Sequence, residues 1–208
     1  MNILVIGSRG IGLEVIKQGL ELGHDIRVLS RHPEDIKVTG TKLTIVRGDA
    51  MNPSDVNEAS KSIDIIISAI GVPPSRKDIS VFSGSAGNII SAMKENNVKF
   101  FITVTGIGAG DSKGHGGFFY DNVINPMLLK KIYEDKDRQE SLLKQSGVNW
   151  IIVRPGFLTN GPLTQKYRVL TDLNGVKCGS ISRADCAHFI LSQAASRTYI
   201  KQTPLLTY

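Results

Sequence analysis

Residues 3–12 read Ile3-Leu4-Val5-Ile6-Gly7-Ser8-Arg9-Gly10-Ile11-Gly12. Four consecutive apolar residues with no polar alternation describe a buried strand. Three glycines follow within six positions, and Ile11, Val15, Ile16 and Leu20 then fall on one helical stripe that ends at Gly23. The segment is expected to run strand, tight turn, helix, with the helix over 11–22 and Gly23 as its C-terminal cap. The start of such a helix presents free N–H groups, and glycine lets a phosphate approach where a Cβ would block it. A glycine string between a buried strand and an amphipathic helix is the pattern of a dinucleotide pyrophosphate site.

The same alternation continues outward. Strands are expected over 2–6, 25–30, 42–47, 63–69, 98–104 and 148–153, with helices over 11–22, 81–97 and 122–146. Ile65-Ile66-Ile67 and Trp150-Ile151-Ile152-Val153 do not alternate, so both faces of those strands should be covered. This succession predicts an α/β fold, a Rossmann-type doubly wound parallel sheet with right-handed crossovers. After Pro155 the pattern loosens into short strands near 167–170 and 176–180. Ser182-Arg183-Ala184-Asp185 then has the form of a capping box ahead of Ala187 and Phe189-Ile190-Leu191. No linker or repeat divides the chain. Residues 1–208 are expected to form one domain in which about 155–208 cap the substrate side.

The chain of 208 residues is 41% hydrophobic and 21% charged, the composition of a folded soluble domain. No apolar run reaches the ~18–20 residues of a membrane span, and no secretory signal opens the chain. Cys178 and Cys186 suggest neither a disulfide framework nor a zinc ribbon, so reduced thiols and a cytoplasmic location are expected. His24, His32 and His188 fit no metal spacing, and no metal site is expected. The net charge of +6 is scattered; its densest spot, Lys130-Lys131, is followed at once by Glu134, Asp135 and Asp137. That disfavours a nucleic-acid groove, which needs a basic stripe, and suits a small anionic ligand. The expected partner is a small planar acceptor, with no nucleic acid and no membrane; no feature of the sequence sets an oligomeric state.

The end of the second strand bears on which dinucleotide is bound. NAD sites place an acid ~20 residues after the glycines, on the ribose 2′-hydroxyl. Here Ser30-Arg31-His32 stands instead, with Arg31 nineteen residues after Gly12. Arg31 can fork onto a 2′-phosphate, and Arg9 can converge from the glycine turn. Two cations without an acid favour NADP (NADPH) over NAD; the alternative is that both arginines are simply solvated.

With these pieces in place the chain resembles the atypical short-chain dehydrogenase/reductases, and within them the biliverdin-IXβ reductase/flavin reductase group. The resemblance rests on Gly7-Ser8-Arg9-Gly10, Arg31, Gly48-Asp49, Ile67-Ser68-Ala69-Ile70-Gly71, Ser146-Gly147, Val153-Arg154-Pro155-Gly156 and Ile181-Ser182-Arg183-Ala184-Asp185. It implies that Gly7, Ser8, Arg9, Gly10 and Ile11 form the phosphate turn, that Arg31 meets the 2′-phosphate and that Asp49 contacts the adenine. It further implies that Ala69, Ile70 and Gly71 pass the adenosine ribose, while Thr103 to Thr105, Pro155, Gly156 and Phe157 lie beside the nicotinamide. The chain departs from the pattern in three places. Leu13 occupies the usual third glycine position, with Gly12 one place early. Phe157 and Thr105 stand where biliverdin reductase has its histidine and serine. The Tyr-x-x-x-Lys pair of typical short-chain reductases is missing: Lys136 and Glu140 are present, but Ile132 holds the tyrosine position and Tyr133 is one step round the helix.

Without that pair, hydride transfer to a flavin- or quinone-like acceptor is expected, since its proton can come from water, while ketone reduction needs a donor on the alkoxide. Thr105 is the nearest hydroxyl for such a role, or else it bonds backbone. His115 lies in the glycine-rich stretch 106–117, which is either a lid over the acceptor or a surface loop, and its pKa class suits proton relay. Phe118, with Phe119 and Tyr120, either stacks the acceptor or packs in the core; Phe157 is the second substrate-side aromatic. The rival reading is a non-catalytic NmrA-like sensor of NADP redox state that acts through a protein partner. A nucleotide-sugar epimerase would need a larger C-terminal sugar domain.

Overall fold

The computed structural model describes residues 1–75, 77–117 and 129–208. Its main sheet has eight strands. They are β1 (Asn2–Ile6), β2 (Asp25–Ser30), β3 (Leu43–Arg47), β4 (Ile65–Ser68), β5 (Phe100–Val104), β6 (Trp150–Pro155), β8 (Arg168–Leu170) and β10 (Leu205–Thr207). The order across the sheet is β3-β2-β1-β4-β5-β6-β10-β8, parallel throughout except for β8. This is the Rossmann-type doubly wound arrangement expected from the sequence, and it leaves a crevice between β1 and β4, where the winding reverses. A separate parallel pair joins β7 (Phe157–Thr159) to β9 (Ser180–Ser182).

The apolar runs lack alternation because two layers of helices claim opposite sides of each strand. Ile3 and Val5, Ile65 and Ile67, Phe100 and Ile102, and Ile151 and Val153 pack toward α1 (Ile11–Glu21) and α5 (Arg183–Ser196). Leu4 and Ile6, Ile66, Phe101, and Trp150 and Ile152 belong to the opposite core, with α2 (Pro53–Ala59), α3 (Val81–Asn96) and α4 (Lys130–Gln145). Among the described residues, no helix is long and apolar enough to cross a membrane.

Several local features depart from the sequence reading. The 122–146 helix begins, within the described residues, at Lys130; Phe118, Phe119 and Tyr120 lie outside them. The strand expected at 176–180 starts only at Ser180, because the backbone before it is taken by another loop: the Cys178 amide donates to the His115 carbonyl at 2.9 Å. β10 was not anticipated, and it pairs with β6 from some fifty residues further along. The capping box forms in an altered version. Ser182 Oγ accepts from the Asp185 amide at 2.9 Å, while the Ser182 amide donates to Tyr208 Oη, which in turn donates to Asp185. The Ser80 side chain makes no cap on α3; Asp135 reaches across from α4 to accept from the Phe82 amide at 2.8 Å.

The glycine turn is the tightest junction. Gly7 has φ +99°, and a Cβ there would stand 2.6 Å from the Ala69 carbonyl oxygen. Gly12 brings α1 against β1 so closely that a Cβ would lie 1.7 Å from the Gly7 oxygen. Gly12 thus performs the helix–strand packing for which the sequence offered no glycine at position 13. Gly12→Ala is expected to lower unfolding free energy by about 3 kcal/mol or more, as severe overpacking does. Gly87→Ala, in α3 with nothing near its Cβ position, should raise it by about 0.5–1 kcal/mol. Urea unfolding of both variants checks the pair.

Candidate functional site

A cleft of about 700 Å³ runs along the carboxyl ends of the central strands. It has the size and place of a dinucleotide site in an open α/β sheet. Its middle is the glycine turn. Gly7, Ser8, Arg9, Gly10 and Ile11 all line it, and no side chain caps α1; the Gly12 amide donates to the Arg9 carbonyl at 3.0 Å, and the other amides at the start of that helix suit an anion. The absent side chains at 7 and 10 form a cradle that a Cβ would fill, which fits a pyrophosphate.

At one end lie Arg31, His32, Asp35, Gly48 and Asp49, with Ala69, Ile70 and Gly71 beside them. Asp49 is held by its neighbours: its amide donates to Asp55 Oδ2 at 2.8 Å and its Oδ1 accepts from the Met51 amide at 2.9 Å. The sequence reading missed Arg183, the first residue of α5. It lines the cleft, its Nε lies 3.4 Å from where a Cβ on Gly10 would be, and its Nη1 donates to Asn160 Oδ1 at 2.7 Å. A residue read as part of a capping box therefore brings a guanidinium to the glycine turn.

At the other end the lining is Val104, Thr105, Gly106, Ile107, Tyr133, Lys136, Pro155, Gly156, Phe157 and Leu158. Tyr133 and Lys136 stand one helical turn apart on α4 and enter the cleft together. Lys136 Nζ lies 5.3 Å from the Tyr133 ring centroid and 5.2 Å from that of Phe82, and it donates to the Thr105 carbonyl. Burial pushes the Lys136 ammonium down to about 8, and the Glu140 carboxylate opposes that fall. The sequence reading looked for tyrosine and lysine at i,i+4 spacing; the fold brings them together at i,i+3, which also shares a face.

Behind this wall lies a buried ion pair. Arg154, fully buried on β6, donates from Nε and Nη2 to the two carboxylate oxygens of Glu140 on α4, at 3.0 and 2.6 Å, and from Nη1 to Asp111. Thr105 Oγ1 donates to the same Glu140 at 2.9 Å. The Thr105 hydroxyl proposed for catalysis is thus engaged in the wall. The other expected residues divide. Pro155 and Phe157 line the cleft, but Thr103 is buried beneath it, its hydroxyl accepting from Gln139 Nε2 at 3.0 Å. His115 stands outside the lining, with Nδ1 2.9 Å from the Val176 carbonyl oxygen. Phe118 lies outside the described residues. Among the described residues no group of three or more His, Cys, Asp or Glu could hold a metal ion.

Removing one member of a buried pair strands its partner's charge. Glu140→Gln is expected to cost about 3–5 kcal/mol, and Glu140→Gln with Arg154→Met should recover part of that loss. Thermal and urea unfolding of both variants provide the comparison.

Across residues 7–197 the chain matches the profile of a family described as NAD(P)H-binding. It is 28% identical over 200 residues to the uncharacterized sugar epimerase YhfK of Bacillus subtilis strain 168, covering 92% of this chain and 87% of that protein. The solved structure of ChuY, described as an anaerobillin reductase from Escherichia coli O157:H7, shares the fold with a TM-score of 0.83 at 22% identity, covering 100% of this chain and 97% of that one. A short-chain dehydrogenase/reductase from Veillonella parvula DSM 2008 in complex with NADP gives 0.80 at 17% identity, covering 100% and 94%.

Proposed function

The chain belongs to the NAD(P)H-binding family, and on that premise we propose that it is an NADPH-dependent reductase passing hydride to a planar, conjugated acceptor of the flavin or quinone kind. The observation that carries the reading is the half-buried Lys136 beside Tyr133 at the end of a glycine-built dinucleotide cleft. When bound, the reduced nicotinamide supplies the hydride.

The residues of this chain do the rest. The turn at 7–11 and Arg183 hold the pyrophosphate, and Arg31 takes the 2′-phosphate. Phe157 and Leu158, each 38% exposed at the cleft lining, offer apolar surface to a flat acceptor. That lining suits an aromatic ring better than a polyhydroxylated sugar, whose hydroxyls would need polar partners. Lys136, charged below about pH 8, delivers a proton to the heteroatom of the acceptor that gains electron density, and Glu140 sustains its charge.

Anaerobic NADPH oxidation with FMN and with a simple quinone tests the proposal. Saturable turnover supports it; tight NADPH binding with no turnover on either acceptor favours the sensor. kcat/KM should hold below pH 8 and decline above it as Lys136 loses its proton, since only the ammonium can donate. Lys136→Met should lower kcat by about 10²-fold and abolish the alkaline decline. A variant that keeps both would assign the proton to water. Arg31→Asp should weaken NADPH by about tenfold while leaving NADH within about twofold; equal losses would sink the 2′-phosphate assignment.

A further inference from the structure

The short turn Pro33–Asp35 brings carboxylates to the end of the cleft where the sequence reading found cations alone. Three arginines gather there. Arg9 Nη2 donates to Asp35 Oδ2 at 2.6 Å, and Arg47 donates from Nη2 to Glu34 Oε2 at 2.8 Å and from Nη1 to the Arg31 carbonyl at 3.0 Å. The Arg31 guanidinium has no ion pair among the described residues. Arg9, Arg31 and Asp35 line the cleft, whereas Arg47 and Glu34 do not. Of the two cations read as a 2′-phosphate site, one therefore has no ion pair among the described residues and the other already holds an anion.

We propose that Asp35 is a specificity-determining residue: its carboxylate holds Arg9, and NADPH binds fully only by taking Arg9 from it. This rests on the reading of Arg9 and Arg31 as a 2′-phosphate site. The exchange runs in the required direction. A phosphate near −2 bridges Arg9 and Arg31 together, while Asp35, with a single charge, holds only Arg9. The displaced side chain has somewhere to go, because Arg9 and Asp35 are 82% and 47% exposed. Its backbone stays in place, since the Asp35 amide donates to the His32 carbonyl at 3.2 Å and the Ile36 amide to the Pro33 carbonyl at 3.1 Å. NADH, which lacks the 2′-phosphate, leaves the Arg9–Asp35 pair intact. Asp35 therefore restrains NADPH affinity selectively, both by holding Arg9 and by repelling the incoming phosphate.

Fluorescence titration of the whole protein with NADPH and NADH tests this. Asp35→Asn should tighten NADPH by about fivefold, the scale of losing an exposed competing pair and a nearby like charge. NADH should stay within about 1.5-fold by the same reasoning. Asp35→Ser should act in the same direction. In an Arg9→Gln background the gain should shrink to about twofold, the part that removing a nearby like charge gives, because no pair is left to exchange. Unchanged NADPH affinity in Asp35→Asn, or a gain undiminished by Arg9→Gln, overturns the exchange. Weaker NADH binding in Asp35→Asn overturns it too, by making Asp35 an acceptor for the ribose 2′-hydroxyl. If wild-type protein binds NADH as tightly as NADPH, the 2′-phosphate reading fails and takes the exchange with it. If wild type prefers NADPH and Asp35→Asn is inert, the exchange alone fails.

Discussion

The buried guanidinium of Arg154 is the constraint around which one half of the cleft is arranged. A charge with no water around it must be matched by charge and by hydrogen bonds, or it destabilises the fold by several kcal/mol. Glu140 supplies the match from α4, in a two-pronged contact that fixes distance and angle together. That contact sets the height of α4 against β6, and so sets where Tyr133 and Lys136 emerge. Thr105 and Lys144 use the same carboxylate, and Asp111 secures the loop from the solvent side. Lys136 thus owes its position to a pair it does not touch. It owes its lowered proton affinity to the same packing, which excludes water from its ammonium group.

The two ends of the cleft use charge in opposite ways. At the Lys136 end the Arg154–Glu140 pair is withdrawn from solvent, and Glu140 is shared among several donors. At the Arg31 end the ions are exposed, as in Arg9 with Asp35 and Arg47 with Glu34, which His32 also approaches. Exposed pairs are individually weak and easily exchanged. On the proposed function, the chemistry then sits on the part of the molecule least able to adjust, and the choice between cofactors on the part most able to.

What could be read from the sequence was what depends on near neighbours. Gly7, Gly10 and Gly12 announce a turn because only glycine tolerates that backbone and that proximity, and the isoleucine runs announce central strands because both faces are buried. What escaped depends on partners distant along the chain. Three residues, Leu205–Thr207, are too few to show a period and become a strand only because β6 and β8 lie on either side. The pairing of Tyr133 with Lys136 was passed over because a fixed spacing was sought, although a helix face accepts two. Asp35 was overlooked because counting charges at the end of β2 cannot show that the following turn folds back onto Arg9. Thr103 and Thr105 look alike in sequence, yet one is still inside the sheet while the other has reached the cleft.

The strand order has a consequence for how the protein is made. β1 lies at the middle of the sheet but is synthesised before either of its partners. Ile3 pairs with Ile26 on one side and with Ile65 on the other, so the second partner leaves the ribosome about 40 residues after the first, a delay of about 2–8 s at ordinary elongation rates. Throughout that interval the nascent chain carries an unsealed edge of Ile3, Leu4, Val5 and Ile6, the kind of segment that general chaperones retain. Slowing translation before residue 65 would lengthen that exposure and raise aggregation without altering a single contact of the finished protein.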